Sequence, residues 1–298
     1  MAEAIKLDGT HTALATPMAN KDVDYAGLEK LIQTQIEAGI EGVLAVGTTG
    51  ESPTLSHSEH CEVVRKTVEF AGGQSLVIAG SGSNSTREAE RLSREAQDSG
   101  ADALLLVAPY YNKPTQDGLL QHFSRIAGAV ERPIILYSIP GRCGIEIGVD
   151  TVARLYESFP HVCAIKEAGG SCERVSRLRQ KLGPEYTILS GDDSLTLPFM
   201  SVGARGVISV ASNVIPTEVK KIVDLANEND FRSANALHER FYPLFTTLFI
   251  ESNPGPVKAV LQAMGTIASD TVRLPLAPLS ESSREPLLAV TRKLGITP

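Results

Sequence analysis

The sequence predicts a (β/α)8 barrel, the TIM-barrel fold, followed by a C-terminal helical appendage, and three observations lead there. Eight short runs rich in Val, Ile, Leu and Ala recur at spacings of about 20 to 35 residues, the length of one βα unit. Each run is apolar at successive positions rather than alternate ones, as parallel strands covered on both faces are. Between the runs lie segments with helical periodicity, such as Leu28, Leu31, Ile32 and Ile36 on one stripe and Ala89, Leu92 and Ala96 on another. Eight strands with intervening helices close most economically as a barrel of roughly 200 to 250 residues. A doubly wound open sheet is the alternative arrangement.

The strand runs, in order, are THTALATP from Thr10, GVLAVG from Gly42, SLVIAGSG from Ser75, ALLLVAPY from Ala103, PIILYSIP from Pro133, VCAIKEA from Val162, YTILSGDD from Tyr186 and GVISVAS from Gly206. Ser56-x-x-Glu59 and Ser85-x-x-Glu88 read as capping boxes at helix starts. The barrel takes residues 1–229. Residues 230–298 contain no strand-like run: SANALHERFYPLFTTLFIE and PVKAVLQAMG have helical period, and the proline-rich LPLAPLSESSREP leads to a last helix. A segment of about 70 residues barely builds a core of its own, so an appendage used for packing and subunit contact is predicted.

Composition narrows the function. With 298 residues, 42% hydrophobic and 21% charged, the chain has the make-up of a globular protein. A net charge of −7 without a Lys/Arg cluster argues against nucleic acid and anionic membranes as partners and favours a small-molecule substrate. No stretch approaches the roughly 20 apolar residues of a membrane span, and the N-terminal residues lack the apolar centre of a secretory signal, so a cytoplasmic protein is expected. Cys61, Cys143, Cys163 and Cys172 show no metal-ligand or disulfide spacing and read as reduced, mostly core residues. No metal and no cofactor is expected.

In such barrels the chemistry sits at the carboxyl ends of the strands. There CAIKEA ends an apolar run on Lys166. Alternation predicts that Lys166, Ala164 and Val162 face the barrel interior while Cys163 and Ile165 face the helices. Tyr137 ends the preceding strand on the same face as Ile135, so its hydroxyl and the Lys166 amine converge. A strand-end lysine can instead snorkel into water. From inside a closed barrel there is no sheet edge to escape to, and burial lowers the amine pKa from roughly 10.4 toward 7 or 8, leaving a free nucleophile for Schiff-base chemistry. After the second strand, Thr48 and Thr49 stand between glycines in VGTTGESPT and offer hydroxyl and backbone donors to a carboxylate, or simply form a capped βα turn. Tyr110 and Tyr111 follow the fourth strand, as rim residues or as packing. Arg142, after the fifth, suits a bidentate carboxylate contact or is a solvated charge.

GTTGES, PYYNKP, YSIPGR, IKEA and LSGDD, in this order along nearly the whole chain, resemble the dihydrodipicolinate synthase branch of the pyruvate-dependent class I aldolase superfamily. The resemblance implies condensation of pyruvate with L-aspartate 4-semialdehyde in lysine and diaminopimelate synthesis. On it Lys166 forms the imine, Thr48 and Thr49 hold the pyruvate carboxylate, and Tyr137 moves protons through Thr49 to Tyr111. Arg142 takes the semialdehyde carboxylate, and backbone groups of Gly191 and Ile208 line the pocket. It further implies a homotetramer, a dimer of dimers, with Tyr111 acting in the neighbour's site. Feedback by L-lysine is implied at Ser52, His57, His60, Asn84, Glu88 and Tyr110, where His57 and His60, three apart, are expected to share a helix face. Ser138 and Cys143 depart from the residues common beside Tyr137 and Arg142. Two other readings keep the barrel: an N-acetylneuraminate lyase or 2-keto-3-deoxy sugar acid aldolase using the same lysine, and a non-catalytic small-molecule sensor.

Overall fold

The computed structural model describes residues 5–20 and 22–298. Eight parallel strands close a barrel: β1 (Gly9–Ala13), β2 (Gly42–Ala45), β3 (Leu76–Gly80), β4 (Ala103–Val107), β5 (Ile134–Ser138), β6 (Ala164–Glu167), β7 (Thr187–Ser190) and β8 (Gly206–Ser209). Each pairs with the next, and β8 returns to β1. Only glycine can make that seam. A side-chain carbon on Gly206 would lie 1.8 Å from the Gly9 carbonyl oxygen, and both residues have positive φ.

Helices α1 (Tyr25–Glu37), α2 (His57–Ala71), α3 (Thr86–Asp98), α4 (Gln116–Ala127), α5 (Val149–Ser158), α6 (Cys172–Leu182), α7 (Thr196–Met200) and α8 (Pro216–Asn227) follow the strands. Their apolar stripes bury against the outward strand residues, as with Leu28, Leu31 and Ile32 of α1. A second, smaller cluster fills the barrel itself, with Leu44, Ile78, Leu105, Ile135, Ala164, Leu189 and Ile208 facing inward. Both faces of every strand are therefore covered, which is why the runs read as continuously apolar.

Two sequence expectations fail locally. Ser56 and Glu59 do form a capping box, but the Ser85 side chain caps nothing. Glu88 is drawn away to Ser83 and His57 instead. The pleat of β6 begins only at Ala164, so alternation does not reach back through CAIKEA. Ala164 and Ile165 face as expected, whereas Val162 joins the outer cluster and Cys163 packs toward the inner one. All four cysteines are free, but only Cys143 is buried; Cys61, Cys163 and Cys172 are half-buried.

Beyond the barrel lie α9 (Phe231–Thr247), α10 (Gly255–Ala263) and α11 (Glu281–Lys293); α11 packs on both α9 and α10, and α9 also on α8. Among the described residues no helix is long and apolar enough to cross a membrane.

Candidate active site

The register of β5 and β6 places Tyr137 directly beside Lys166. Both are inward, and both are buried. The Lys166 Nζ lies 4.4 Å from the centroid of the Tyr137 ring. A ring face favours the ammonium form, by about 0.5–2 kcal/mol. Burial acts more strongly in the other direction and, with the Arg142 cation adding to it and the Asp193 anion opposing, lowers the lysine pKa from 10.5 to about 8. At neutral pH about a tenth of the amine is then free, against roughly one part in several thousand for an ordinary lysine.

Burial also pushes the Tyr137 pKa up to about 12, so its hydroxyl keeps its proton. The side chain placed to hydrogen-bond that hydroxyl is Thr48, not Thr49 as expected. Thr49 is turned away and accepts a hydrogen bond from Asn253 Nδ2 at 3.0 Å. Two adjacent residues in a tight turn cannot both face the same phenol. Above Tyr137 opens a cavity of about 250 Å3 whose polar lining includes Thr48, Ser52, Tyr110, Arg142 and Cys143.

Tyr111 does not join this group within one chain. It has φ 73° and is 90% exposed, projecting from the loop after β4, while Tyr110 lines the cavity. Arg142 is held at the rim by a helical turn over Pro140–Cys143 and remains exposed. Gly191 must be glycine. A side-chain carbon there would approach Ala168 Cβ to 2.8 Å and Lys166 Cε to 3.2 Å. Its N–H donates to the Glu167 carbonyl at 2.8 Å, which leaves its carbonyl as the backbone group free of that bond. Ile208 belongs to the inner layer below.

Sequence reasoning missed Asp193, the second aspartate of LSGDD. Its buried carboxylate accepts from Ser209 Oγ and from the N–H groups of Val210 at 3.1 Å and Ala211 at 2.9 Å, and burial raises its pKa to about 6. It also missed Asn253, which reaches Thr49 across 204 residues of sequence. The paired aspartates were a visible signal for the first; nothing local marks the second.

The proposed effector residues are only partly brought together. His57 Nε2 and Glu88 Oε1 pair at 2.6 Å between α2 and α3, and Asn84 Nδ2 donates to the Tyr110 carbonyl at 3.2 Å. His60 does not share their surface. It is buried, bonded to the Gly80 backbone, and its pKa falls to about 4 through desolvation. Three residues of helix separate side chains by about 60°, enough at the margin of α2 to put one in water and one in the core. Ser52 lines the cavity beside Tyr110.

A family model described as the Dihydrodipicolinate synthetase family matches residues 6–293. The chain belongs to this family. Relatives of dihydrodipicolinate synthetase type include the 4-hydroxy-tetrahydrodipicolinate synthase of Methanocaldococcus jannaschii, 46% identical over 97% of this chain and 99% of that one. The solved structure of the same-named enzyme from Methylacidiphilum fumariolicum SolV superposes with a TM-score of 0.96 at 51% identity, covering 97% and 96% of the two chains. A Cyanidioschyzon merolae family member solved with lysine bound superposes at 0.94 with 39% identity, covering 97% and 98%. The activity is accordingly that of the dihydrodipicolinate synthetase family, a lyase reaction of lysine biosynthesis. The sugar-acid aldolase and the non-catalytic sensor are set aside.

Proposed function

We propose that this chain condenses pyruvate with L-aspartate 4-semialdehyde through an imine on Lys166. The carrying observation is a buried, inward lysine with a lowered pKa against an un-ionised tyrosine. The free amine adds to the pyruvate ketone carbon, and water leaves to give the imine. Loss of a methyl proton gives the enamine, with Tyr137 and Thr48 handling protons. The enamine carbon attacks the aldehyde, whose oxygen takes up a proton. The substrate's own amine then displaces Lys166 as the ring closes, returning the free enzyme. Thr48 and Thr49 receive the pyruvate carboxylate, Arg142 that of the semialdehyde, and the carbonyl of Gly191 with the Ile208 backbone lines the pocket.

Borohydride with pyruvate should fix one adduct per chain, and peptide mass spectrometry should place it on Lys166. Turnover should follow only when aspartate semialdehyde, not an aldose, is the second substrate. Adduct on another lysine, or turnover with the aldose alone, rejects the reading. Since the neutral fraction of the amine grows with pH until its pKa is passed, the trapping rate should rise with pH, up to about tenfold per unit below about 8, and level off above it. A rate flat from pH 6 to 9 would contradict the proposed nucleophile.

Residues 1–229 form the catalytic unit in this reading and residues 230–298 its appendage, in a cytoplasmic homotetramer, a dimer of dimers. Tyr111, exposed in the single chain, then completes the proton path in a neighbour's site. L-lysine is read as a feedback effector at Ser52, His57, Asn84, Glu88 and Tyr110, with His60 acting from beneath through its backbone-bonded ring. The lysine-bound relative supports this. Millimolar lysine should lower the initial rate at limiting pyruvate, and Glu88→Ala should relieve the inhibition at least tenfold, because the effector's amino group loses the carboxylate that faces it. Inhibition undiminished in Glu88→Ala removes the site.

A further inference from the structure

The turn that carries Thr48 and Thr49 ends on a carboxylate sealed from water. Glu51 takes the left-handed conformation, with φ 56°, and its side chain is fully buried. So is that of Lys258 in α10, 207 residues later in the sequence, and the two form an ion pair. Two further bonds to the pair come from the appendage. Lys258 Nζ also donates to the Thr271 carbonyl at 2.8 Å, and the second Glu51 oxygen accepts from the Arg273 backbone N–H at 3.0 Å.

The Glu51 backbone is tied equally closely to the turn. Its N–H donates to the Thr48 carbonyl at 3.1 Å, and its carbonyl accepts from Thr54 Oγ1 at 3.1 Å. The Gly50 carbonyl accepts from Thr16 Oγ1 at 2.8 Å. Asn253, just ahead of α10, orients the Thr49 hydroxyl. Stability does not account for the pair. Desolvating two charges is costly, and apolar replacements of a buried ion pair are often as stable as the original. What the pair does supply is one fixed position for the turn.

We propose that the Glu51–Lys258 pair is a positioning device for pyruvate: it locks the Thr48–Thr49 turn to the appendage so that the turn's donors are held in one arrangement for the substrate carboxylate before it arrives. Neither residue touches substrate. The inference rests on the pyruvate reading above. A turn ordered in advance strengthens ground-state binding, because the ordering cost is met before the ligand arrives. Loosening it therefore acts mainly on pyruvate KM, and less on kcat, because Thr48 keeps its own hydrogen bond to Tyr137 once the substrate is bound.

The test is the double variant Glu51→Gln with Lys258→Met, which removes both charges while keeping an acceptor for the Arg273 N–H, alongside Glu51→Gln alone. Pyruvate dependence is read twice, from steady-state KM and from the half-saturation of the borohydride-trapped adduct on Lys166. Both should rise about tenfold or more in the double variant, with kcat at saturating pyruvate within about threefold and semialdehyde KM unchanged. The wild-type adduct separates the two ideas: without it the imine reading fails, and with it only the turn is in question. A folded double variant with native pyruvate dependence overturns the proposal, as does a fall in kcat alone. Failure of both variants to fold overturns it too, making the pair a stability element.

Discussion

Replacing Lys166 with arginine should lower turnover by roughly 10⁴-fold or more, the scale on which loss of a covalent nucleophile is felt. Arginine keeps the cation and can stack on the Tyr137 ring that now faces the amine at 4.4 Å. The barrel should therefore fold, with a melting temperature near the native one. Its guanidinium stays protonated at any accessible pH, so burial cannot free a lone pair as it does for lysine. Pyruvate with borohydride should leave the chain unlabelled. Retention of even a hundredth of the activity, or an adduct elsewhere, would mean that another group forms the imine.

The largest stability effect is expected one residue further along β6, on its outer face. Glu167 is fully buried and pairs at 2.7 Å with Arg174 of α6, itself almost fully buried. Arg174 also donates to the Ile147 carbonyl at 2.5 Å and pairs with Glu146 at 3.0 Å, so it ties β6 to the loop that follows Arg142. Arg174→Met leaves the carboxylate buried without a cation, a loss of about 3–5 kcal/mol. Burial already raises the Glu167 pKa, with Arg174 pulling it back down. Removing the arginine raises it further, so the folded variant holds a proton that the unfolded chain releases. Stability of the variant then falls as pH climbs from the ordinary 4.5 of the carboxyl toward its raised folded value, and the deficit shrinks on acidification. Urea unfolding at pH 5 and pH 8 measures this. A deficit independent of pH would place the cost in lost packing, and Arg174→Met combined with Glu167→Gln should regain much of the loss.

The same strand divides what was legible in the chain from what was not. Ala164, Ile165 and Lys166 obey the two-residue period, so inward and outward faces follow from order alone. Val162 and Cys163 do not, because they lie ahead of Ala164, the first residue of β6 in register with its neighbours. The eight strands were readable because each is buried on both sides, a property carried by composition within five residues. The Ser85 cap failed because Glu88 had stronger partners in Ser83 and His57, the latter on a different helix.

By itself the sequence determined the barrel, the inward lysine beside a tyrosine, the threonine turn, the rim arginine and the family. These depend on spacing along one strand or on motifs a few residues long, where local geometry dictates the outcome. Only the tertiary structure decided which threonine meets Tyr137, that Tyr111 stays outside its own site, that His60 sinks while His57 does not, and that Asp193 stands near Lys166. It alone paired Glu51 with Lys258 and Thr49 with Asn253. The reason is physical: the energy of a buried charge or amide depends on partners in space, and closure of the barrel brings together groups some 200 residues apart that leave no periodic trace in the chain.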